Sequence, residues 1–152
     1  MIKLASCLLA ALFFAQSSMA QQPRRAFVLS EQAQGADLQC GINYDALRAA
    51  VSSVLRQNGY TIVQGNDPQR MIVYVVATST FIETICAVNL NLDFRFYSDV
   101  RANWGTNYFA DVVICQRSHL LLGPAANMAS RARERIASST EMCISEEERR
   151  RR

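Results

Sequence analysis

The chain has 152 residues, of which 50% are hydrophobic and 19% are charged, and its formal net charge is +3. This composition is typical of one globular domain and excludes a disordered chain. Because acidic and basic residues nearly balance, no basic surface for nucleic acid is indicated, and we expect no nucleic-acid partner.

The first twenty residues have the pattern of a secretory signal peptide. Lys3 supplies the basic start, an apolar run follows, and Ser18-Met19-Ala20 offers a small-x-small cleavage site. The run is too short to span a bilayer comfortably, so we expect no transmembrane anchor. An alternative reading places a lipid on Cys7, but the apolar run continues well beyond that residue. We therefore predict residues 1–20 as a signal peptide and an exported protein in the periplasm or outside the cell.

Four cysteines follow the predicted cleavage site, and their even number in an oxidising compartment predicts two disulfides. They are Cys40, Cys86, Cys115 and Cys143. Their wide spacing excludes a CxxC redox motif, and a single histidine in the chain makes a mixed Cys/His zinc site poorly supplied. We expect no metal and no cofactor.

The first half of the chain predicts a strand, a helix and a second strand. Residues 26–30 form an apolar, strand-like run after a loose start. From 43 to 58 the spacing predicts an amphipathic helix. Asn43 suits the N-cap of this helix, and Gly59 suits the position just after its C-terminal end. Residues 60–63 predict a short strand, and the turn residues 64–68 close it. The buried stripe of the helix comprises Tyr44, Leu47, Val51, Val54 and Leu55.

The second half predicts three strands and a helix. Residues 71–81 are rich in β-branched side chains, and residues 87–97 alternate strictly between apolar and polar side chains, which indicates one buried and one wet face. A turn at 98–103 leads to a return strand at 104–115. Gly123-Pro124 then opens a helix with one apolar stripe. That stripe comprises Met128, Ala132, Ile136, Thr140 and Cys143.

These elements predict a single α+β domain over residues 21–144, followed by a charged, mobile tail at 145–152. We expect a two-layer sandwich: an antiparallel meander of four to five strands with two helices on one face. The order is β-α-β-β-β-β-α or β-α-β-β-β-α. The other sheet face is expected to be open to solvent.

The strand directions of this meander predict the disulfide pairing. With strands alternating in direction, the end of the second helix lies near the start of the first. We therefore predict a Cys40–Cys143 bond and a Cys86–Cys115 bond. The second bond conflicts with clean alternation of the return strand, which turns Cys115 outward, and either a β-bulge or a break in alternation near Cys86 would reconcile the two.

No catalytic set is predicted. A Ser–His–Asp assembly would need His119, the only histidine, with Ser118 and Asp111, but adjacent residues on a strand point apart and no GxSxG elbow is present. Asp93 and Asp111 could lie on neighbouring strands as a carboxylate pair. We interpret them as residues of an ordinary wet face. Catalytic residues are therefore predicted as none, and an enzyme is the less favoured class.

The hairpin between the two long strands is the candidate binding surface. It combines aromatic residues with arginines, the types enriched at binding hot spots. The residues are Arg95, Tyr97, Arg101, Trp104 and Tyr108. In the competing interpretation, Trp104 and Tyr108 are core residues.

We predict an exported, disulfide-stabilised, non-catalytic binding or accessory module of the cell envelope, with a protein or glycan partner. The alternatives are a small secreted hydrolase and a secreted inhibitor.

Overall fold

The computed structural model of the chain describes residues 24–64, 70–101 and 107–151, with the backbone alone described at 97–101 and 107–111. The predicted signal peptide lies outside these ranges. Eight elements follow one another along the described chain. They are β1 (Arg24–Ser30), α1 (Ala36–Gln39), α2 (Tyr44–Gln57), β2 (Tyr60–Ile62), β3 (Met71–Ile82), β4 (Ile85–Arg101), β5 (Asn107–Pro124) and α3 (Ala125–Arg150).

Both predicted helices are confirmed, together with the residues that start them and the glycine that ends α2. The side chain of Asn43 accepts a hydrogen bond of 3.0 Å from the Ala46 amide and caps α2. Gly59 follows the helix with a φ of 80°, in the left-handed region where only glycine is unstrained. Pro124 precedes α3 in extended backbone. Sequence-local signals therefore determine where both helices begin and where α2 ends.

The predicted apolar stripes of both helices form the core. All five stripe residues of α2 and all five of α3 are buried. They pack on the inner sheet face, where alternate residues of β4 are fully enclosed. These β4 residues are Val88, Leu90, Leu92 and Phe94. The predicted two-layer α+β arrangement is thus confirmed, with α2 and α3 packed against each other on the same face of the sheet.

The sheet is mixed, and the prediction of an antiparallel meander is wrong. Its strand order is β2-β1-β3-β4-β5, and β1 runs parallel to both of its neighbours. Only β3, β4 and β5 form an antiparallel meander. After β2 the chain passes to the other side of β1 and enters β3 in the same direction as β2. The connection from β2 to β3 is therefore a crossover rather than a hairpin, and most of the predicted turn at 64–68 lies outside the described residues.

The strand hairpin differs from its predicted limits. β4 continues to Arg101 through part of the predicted turn, and β5 runs on past Cys115 to Pro124. A register shift at Phe94 and Arg95 marks a β-bulge in the β4–β5 ladder. Because a bulge reverses the alternation of the longer strand, Cys115 points inward and is buried. Of the two alternatives, the bulge is the one present, and it turns Cys115 towards Cys143 rather than towards Cys86.

Two disulfides are present, as predicted, but the predicted pairing is wrong. Cys40 is bonded to Cys86, and Cys115 is bonded to Cys143. The error follows from the direction of β3. Once β3 runs parallel to β1, every later element is reversed, so the end of α3 lies at the opposite end of the domain from the start of α2. Cys40 then meets the start of β4, and Cys143 meets the middle of β5.

Residues 145–150, predicted as part of a mobile tail, are the last turns of α3. The Glu147 carboxylate is buried and accepts a hydrogen bond of 2.8 Å from the Tyr60 hydroxyl. Glu148 pairs with the Arg24 guanidinium at 2.9 Å. Burial, with the hydrogen bond to Glu147, raises the pKa of Tyr60 well above its usual value. These contacts join the end of α3 to the starts of β1 and β2, so residues 145–150 belong to the helix rather than to a separate tail segment.

None of the described helices is both long and apolar enough to cross a membrane. Nor do the described residues bring together three or more His, Cys, Asp or Glu side chains that could hold a metal ion.

Candidate binding surface

The β4–β5 hairpin extends beyond the rest of the described sheet. The last β3 residue in the ladder, Met71, pairs with Phe96 of β4. Beyond that pair, five further β4 residues, from Tyr97 to Arg101, pair with β5 alone among the described residues. At about 3.4 Å per residue, this two-stranded arm is roughly 17 Å long. We call residues 97–101 and 107–111 the arm.

The structure places four of the predicted binding residues at or in the arm. Arg95 lies at its base. Tyr97 pairs with Asp111, and Arg101 pairs with Asn107 near the end of the described ladder. Tyr108 lies between them on the opposite strand, and Trp104 lies outside the described residues. The backbone register therefore groups these positions on one hairpin, and their role in binding stays a prediction.

Arg95 is held by its neighbours on the outer sheet face. Its guanidinium donates to the Asp93 carboxylate at 2.5 Å and lies 5.6 Å from the centre of the Tyr74 ring. The Tyr74 hydroxyl in turn donates to Glu31 at 2.8 Å. That hydrogen bond to a carboxylate is the main reason why the pKa of Tyr74 is raised. At the base of the arm, charged and aromatic side chains thus form a connected series of contacts.

The outer face near this base is less exposed than its alternating sequence predicts. Asp93 is only 5% exposed, and Ile72 on the neighbouring strand is 6% exposed. Arg70 is also buried, with its guanidinium 4.4 Å above the ring of Phe27. The unbroken apolar run of β3 was the sequence signal for this burial, since a strand with one solvent-exposed face would alternate between apolar and polar residues. The prediction of a fully wet face is therefore wrong in this region.

His119 does not form the catalytic assembly considered from the sequence. Its Nε2 lies 2.8 Å from the Ser139 Oγ, while the Ser118 hydroxyl on the other sheet face donates to the Asn89 side chain. Since the Ser139 hydroxyl donates to the Arg135 carbonyl, His119 is the donor in its bond to Ser139. Burial, followed by the charges of Arg135 and Arg117, lowers the pKa of His119. The expected surface histidine is a half-buried one that joins β5 to α3.

The candidate carboxylate pair is also separated. Asp93 lies opposite Gln116, whereas Asp111 lies opposite Tyr97 farther along the ladder. Asp93 belongs to the outer face, and His119 faces α3 on the inner one. Asp93 and His119 therefore do not line one cleft, the arrangement that would have favoured the enzyme alternative.

A depression of about 690 Å³ opens between β1, α1 and the start of α2. Its charged residues already have partners: Arg48 pairs with Asp45 at 2.9 Å, and Glu31 accepts from Tyr74. The rest of the lining includes Leu38, which is largely exposed, and the backbone around Gly41. We see no arrangement of a nucleophile and a base in this depression.

Sequence reasoning missed an apolar surface at the other end of the outer face. Four large aliphatic side chains lie there with about half or more of their area exposed: Ile82, Ile85, Leu120 and Leu122. The register places them on the adjacent ends of β3, β4 and β5. The run Leu120-Leu121-Leu122 was the visible signal, because only its middle residue is buried. We call these four residues the aliphatic patch.

No family model matches the chain, and no curated protein sequence matches it. Solved structures with a similar backbone path have low sequence identity to this chain. A dodecamer of a PelC point variant from Paraburkholderia phytofirmans is 13% identical with a TM-score of 0.45, covering 77% of this chain and 82% of that one. A minor lipoprotein from Acinetobacter baumannii is 11% identical with a TM-score of 0.40, covering 85% and 95%. The rare lipoprotein B from Shewanella oneidensis is 12% identical with a TM-score of 0.32, covering 80% and 92%. These likenesses are too distant to carry an argument about function.

Proposed function

We propose that this chain is an exported, non-catalytic binding module of the cell envelope, and that the arm is its contact surface. The observation that carries the proposal is the extension of β4 and β5 by five residue pairs past the end of β3. A hairpin that leaves the body of the sheet gives that body little stability. Its length is instead explained by contact with something outside the domain.

The arm has the residue types and the support that a binding element needs. Tyr97, Arg101 and Tyr108 lie in its strands, and Trp104 lies in the segment that joins them. Tyrosine, tryptophan and arginine are the residues most enriched at binding hot spots. The Cys115–Cys143 disulfide ties β5 to α3 close to the base of the arm. A surface held in place before binding loses less conformational freedom on association.

Export supports an envelope location for this module. Two disulfides within a small domain are typical of proteins that fold in an oxidising compartment. Together with the signal-peptide pattern, they support cleavage after Ala20 and a mature protein that begins at Gln21. Mass spectrometry of the protein purified from the envelope measures its N-terminus directly. Retention of Met1 would contradict export by this leader.

The decisive test shortens the arm. Replacing residues 98–110 by Asn-Gly joins Tyr97 to Asp111 through a two-residue turn and leaves the ladder shared with β3 intact. We expect this variant to keep the melting temperature of the full protein and to lose partners captured from envelope extract. Trp104→Ala and Arg101→Ala should weaken the same capture. Asn89→Ala, an exposed position on β4 outside the arm, is the matched control and should capture partners normally.

The outcomes separate the candidate classes. Capture that is lost when the extract is treated with protease indicates a protein partner, and arm-dependent sedimentation with purified peptidoglycan indicates a glycan. Inhibition of a peptidase by the intact protein but not by the shortened one would assign the arm to a secreted inhibitor. If the shortened variant still captured every partner, the arm would not be the contact surface. A large fall in melting temperature for Trp104→Ala would instead place that residue in the core.

A further inference from the structure

β5 is the last strand in the order of the described sheet. No other strand among residues 24–64, 70–101 and 107–151 pairs with its far edge. The carbonyl of Leu122 accepts a hydrogen bond of 2.7 Å from the Arg131 side chain, which places this carbonyl on the edge away from β4. In an antiparallel ladder, alternate residues direct their N–H and C=O groups to the same side. Ser118 and Leu120 therefore present backbone donors and acceptors at that edge as well.

The aliphatic patch lies directly beside this edge. Leu120 is 66% exposed and Leu122 is 57% exposed, and Ile82 and Ile85 extend the patch across the adjacent strands. A contiguous exposed apolar surface on a small domain marks a site of interaction. The patch and the edge belong to the same segment of β5, so one extended strand laid against that edge would cover both.

A groove of about 280 Å³ runs between the same part of β5 and α3. It is lined by Leu121 of β5 and by a polar flank of α3. Glu134 and Arg135 lie side by side on this flank, and both are exposed. A surface with adjacent charges of opposite sign can face a copy of itself across a two-fold axis, each glutamate meeting an arginine of the other copy.

We propose that the edge of β5 pairs in an antiparallel manner with the same edge of a second copy of this chain, centred on Leu121. Antiparallel pairing around a two-fold axis keeps the inner and the outer face of the combined sheet continuous. With the axis at Leu121, Leu120 of each copy pairs with Leu122 of the other. Four leucines then join on the outer face. Centring on His119 would instead set Leu122 against Gln116. The apolar sequence at residues 120–122 selects the first register.

This register also brings the polar flanks of the two α3 helices into the interface. Leu121 sits beside the middle of the groove, so an axis through it relates the two α3 helices in opposite directions. Glu134 of one copy then lies towards Arg135 of the other. A lipid surface fits the aliphatic patch less well, because Glu83 lies between Ile82 and Ile85 in the turn at its margin.

The dimer has a consequence for the arm. Asn107 lies fourteen residues from Leu121 along β5, so the two arms point in opposite directions, with roughly 90 Å between the two copies of this residue. The pair would be a bivalent binder, able to hold two contacts at once. The dimer surface and the arm share no residue, so either proposal can fail without the other.

Sedimentation velocity of the mature protein tests the proposal, measured from about 1 μM to about 200 μM because modest interfaces fall in this range of Kd. We expect a monomer–dimer equilibrium. Leu120→Asp should raise the dimer Kd by at least about tenfold, since a charge replaces an apolar contact at the centre of the interface. Leu38→Asp, at an exposed leucine of α1 away from the edge, is the matched control and should leave the Kd unchanged. Circular dichroism and the melting temperature establish that both variants are folded.

A charge exchange identifies the register. Glu134→Arg and Arg135→Glu should each weaken the dimer, and the double variant should restore it, because opposite charges then face each other again. A wild-type protein that stays monomeric at all these concentrations would overturn the proposal. So would a dimer that Leu120→Asp leaves intact, or a double variant that is weaker than both single variants. Leu120-dependent sedimentation of a monomer with phosphatidylcholine vesicles would assign the aliphatic patch to a membrane surface instead.

Discussion

Removal of the Cys40–Cys86 disulfide is the perturbation whose cost follows most directly from the structure. The two cysteines are 46 residues apart, and the Cys115–Cys143 pair spans 28. Cross-linking reduces the entropy of the unfolded chain, and longer loops lose more. The loop-closure relation gives about 4.0 kcal/mol for the first bond and about 3.6 kcal/mol for the second. Changing both cysteines of either pair to alanine should therefore cost a similar amount.

Urea denaturation followed by circular dichroism measures these costs. With a slope of about 1–3 kcal/mol per molar urea, a loss of about 4.0 kcal/mol lowers the midpoint by roughly 1.3–4 M. All four cysteines are buried, so the packing lost on changing them to alanine is comparable in the two double variants. The two midpoints should consequently lie close together and well below that of the wild type.

Two results would refute this reasoning. A Cys40→Ala/Cys86→Ala variant with the wild-type midpoint would show that this cross-link does not constrain the unfolded chain. Peptide mapping without reduction that joined Cys40 to Cys143 would show that the strand directions described above are wrong. The same map should contain only the Cys40–Cys86 and Cys115–Cys143 peptides.

Four further predictions concern single side chains. Leu92→Ala should cost about 2–5 kcal/mol in urea denaturation, because it leaves a cavity in the core. Arg95→Ala should cost about 1–3 kcal/mol by removing the cation that pairs with a buried carboxylate, and an effect below about 0.5 kcal/mol would mean that this pair is solvated. The lowered pKa of His119 means that its protonation opposes folding, so the free energy of unfolding should fall as the pH drops below the unfolded value of about 6.5. His119→Gln should lack this part of the pH dependence between about pH 7.5 and about pH 5. Tyr60→Phe should lower the melting temperature by removing the hydroxyl donor to Oε2 of the buried Glu147 carboxylate, whose other oxygen accepts from Arg151, at a cost of about 1–3 kcal/mol.

The candidate site could be predicted only as a segment. The aromatic and arginine residues of the hairpin are visible in the sequence, but the extension of the hairpin past β3 depends on where β3 begins pairing. The aliphatic patch was missed for a related reason. Leu120, Leu121 and Leu122 look equally apolar in the sequence, and only the bulge and the position of β5 at the sheet edge expose the first and the third.

The sequence by itself determined the local structure of this protein. The cap at Asn43, the stop at Gly59, the apolar stripes of α2 and α3 and the alternation of β4 all act between residues a few positions apart, and all are present as predicted. The presence of two disulfides was also predicted, because it depends on the number of cysteines and the compartment.

Only the tertiary structure decided the direction of β3 and everything that follows from it. After β2, the next strand could run back beside β2, or it could cross to the other side of β1. The choice depends on pairing between residues distant in sequence. Periodicity is the same for a parallel and an antiparallel strand with the same buried face, so it carries no information on direction. One reversed strand moved the end of α3 to the other end of the domain and exchanged the partners of all four cysteines.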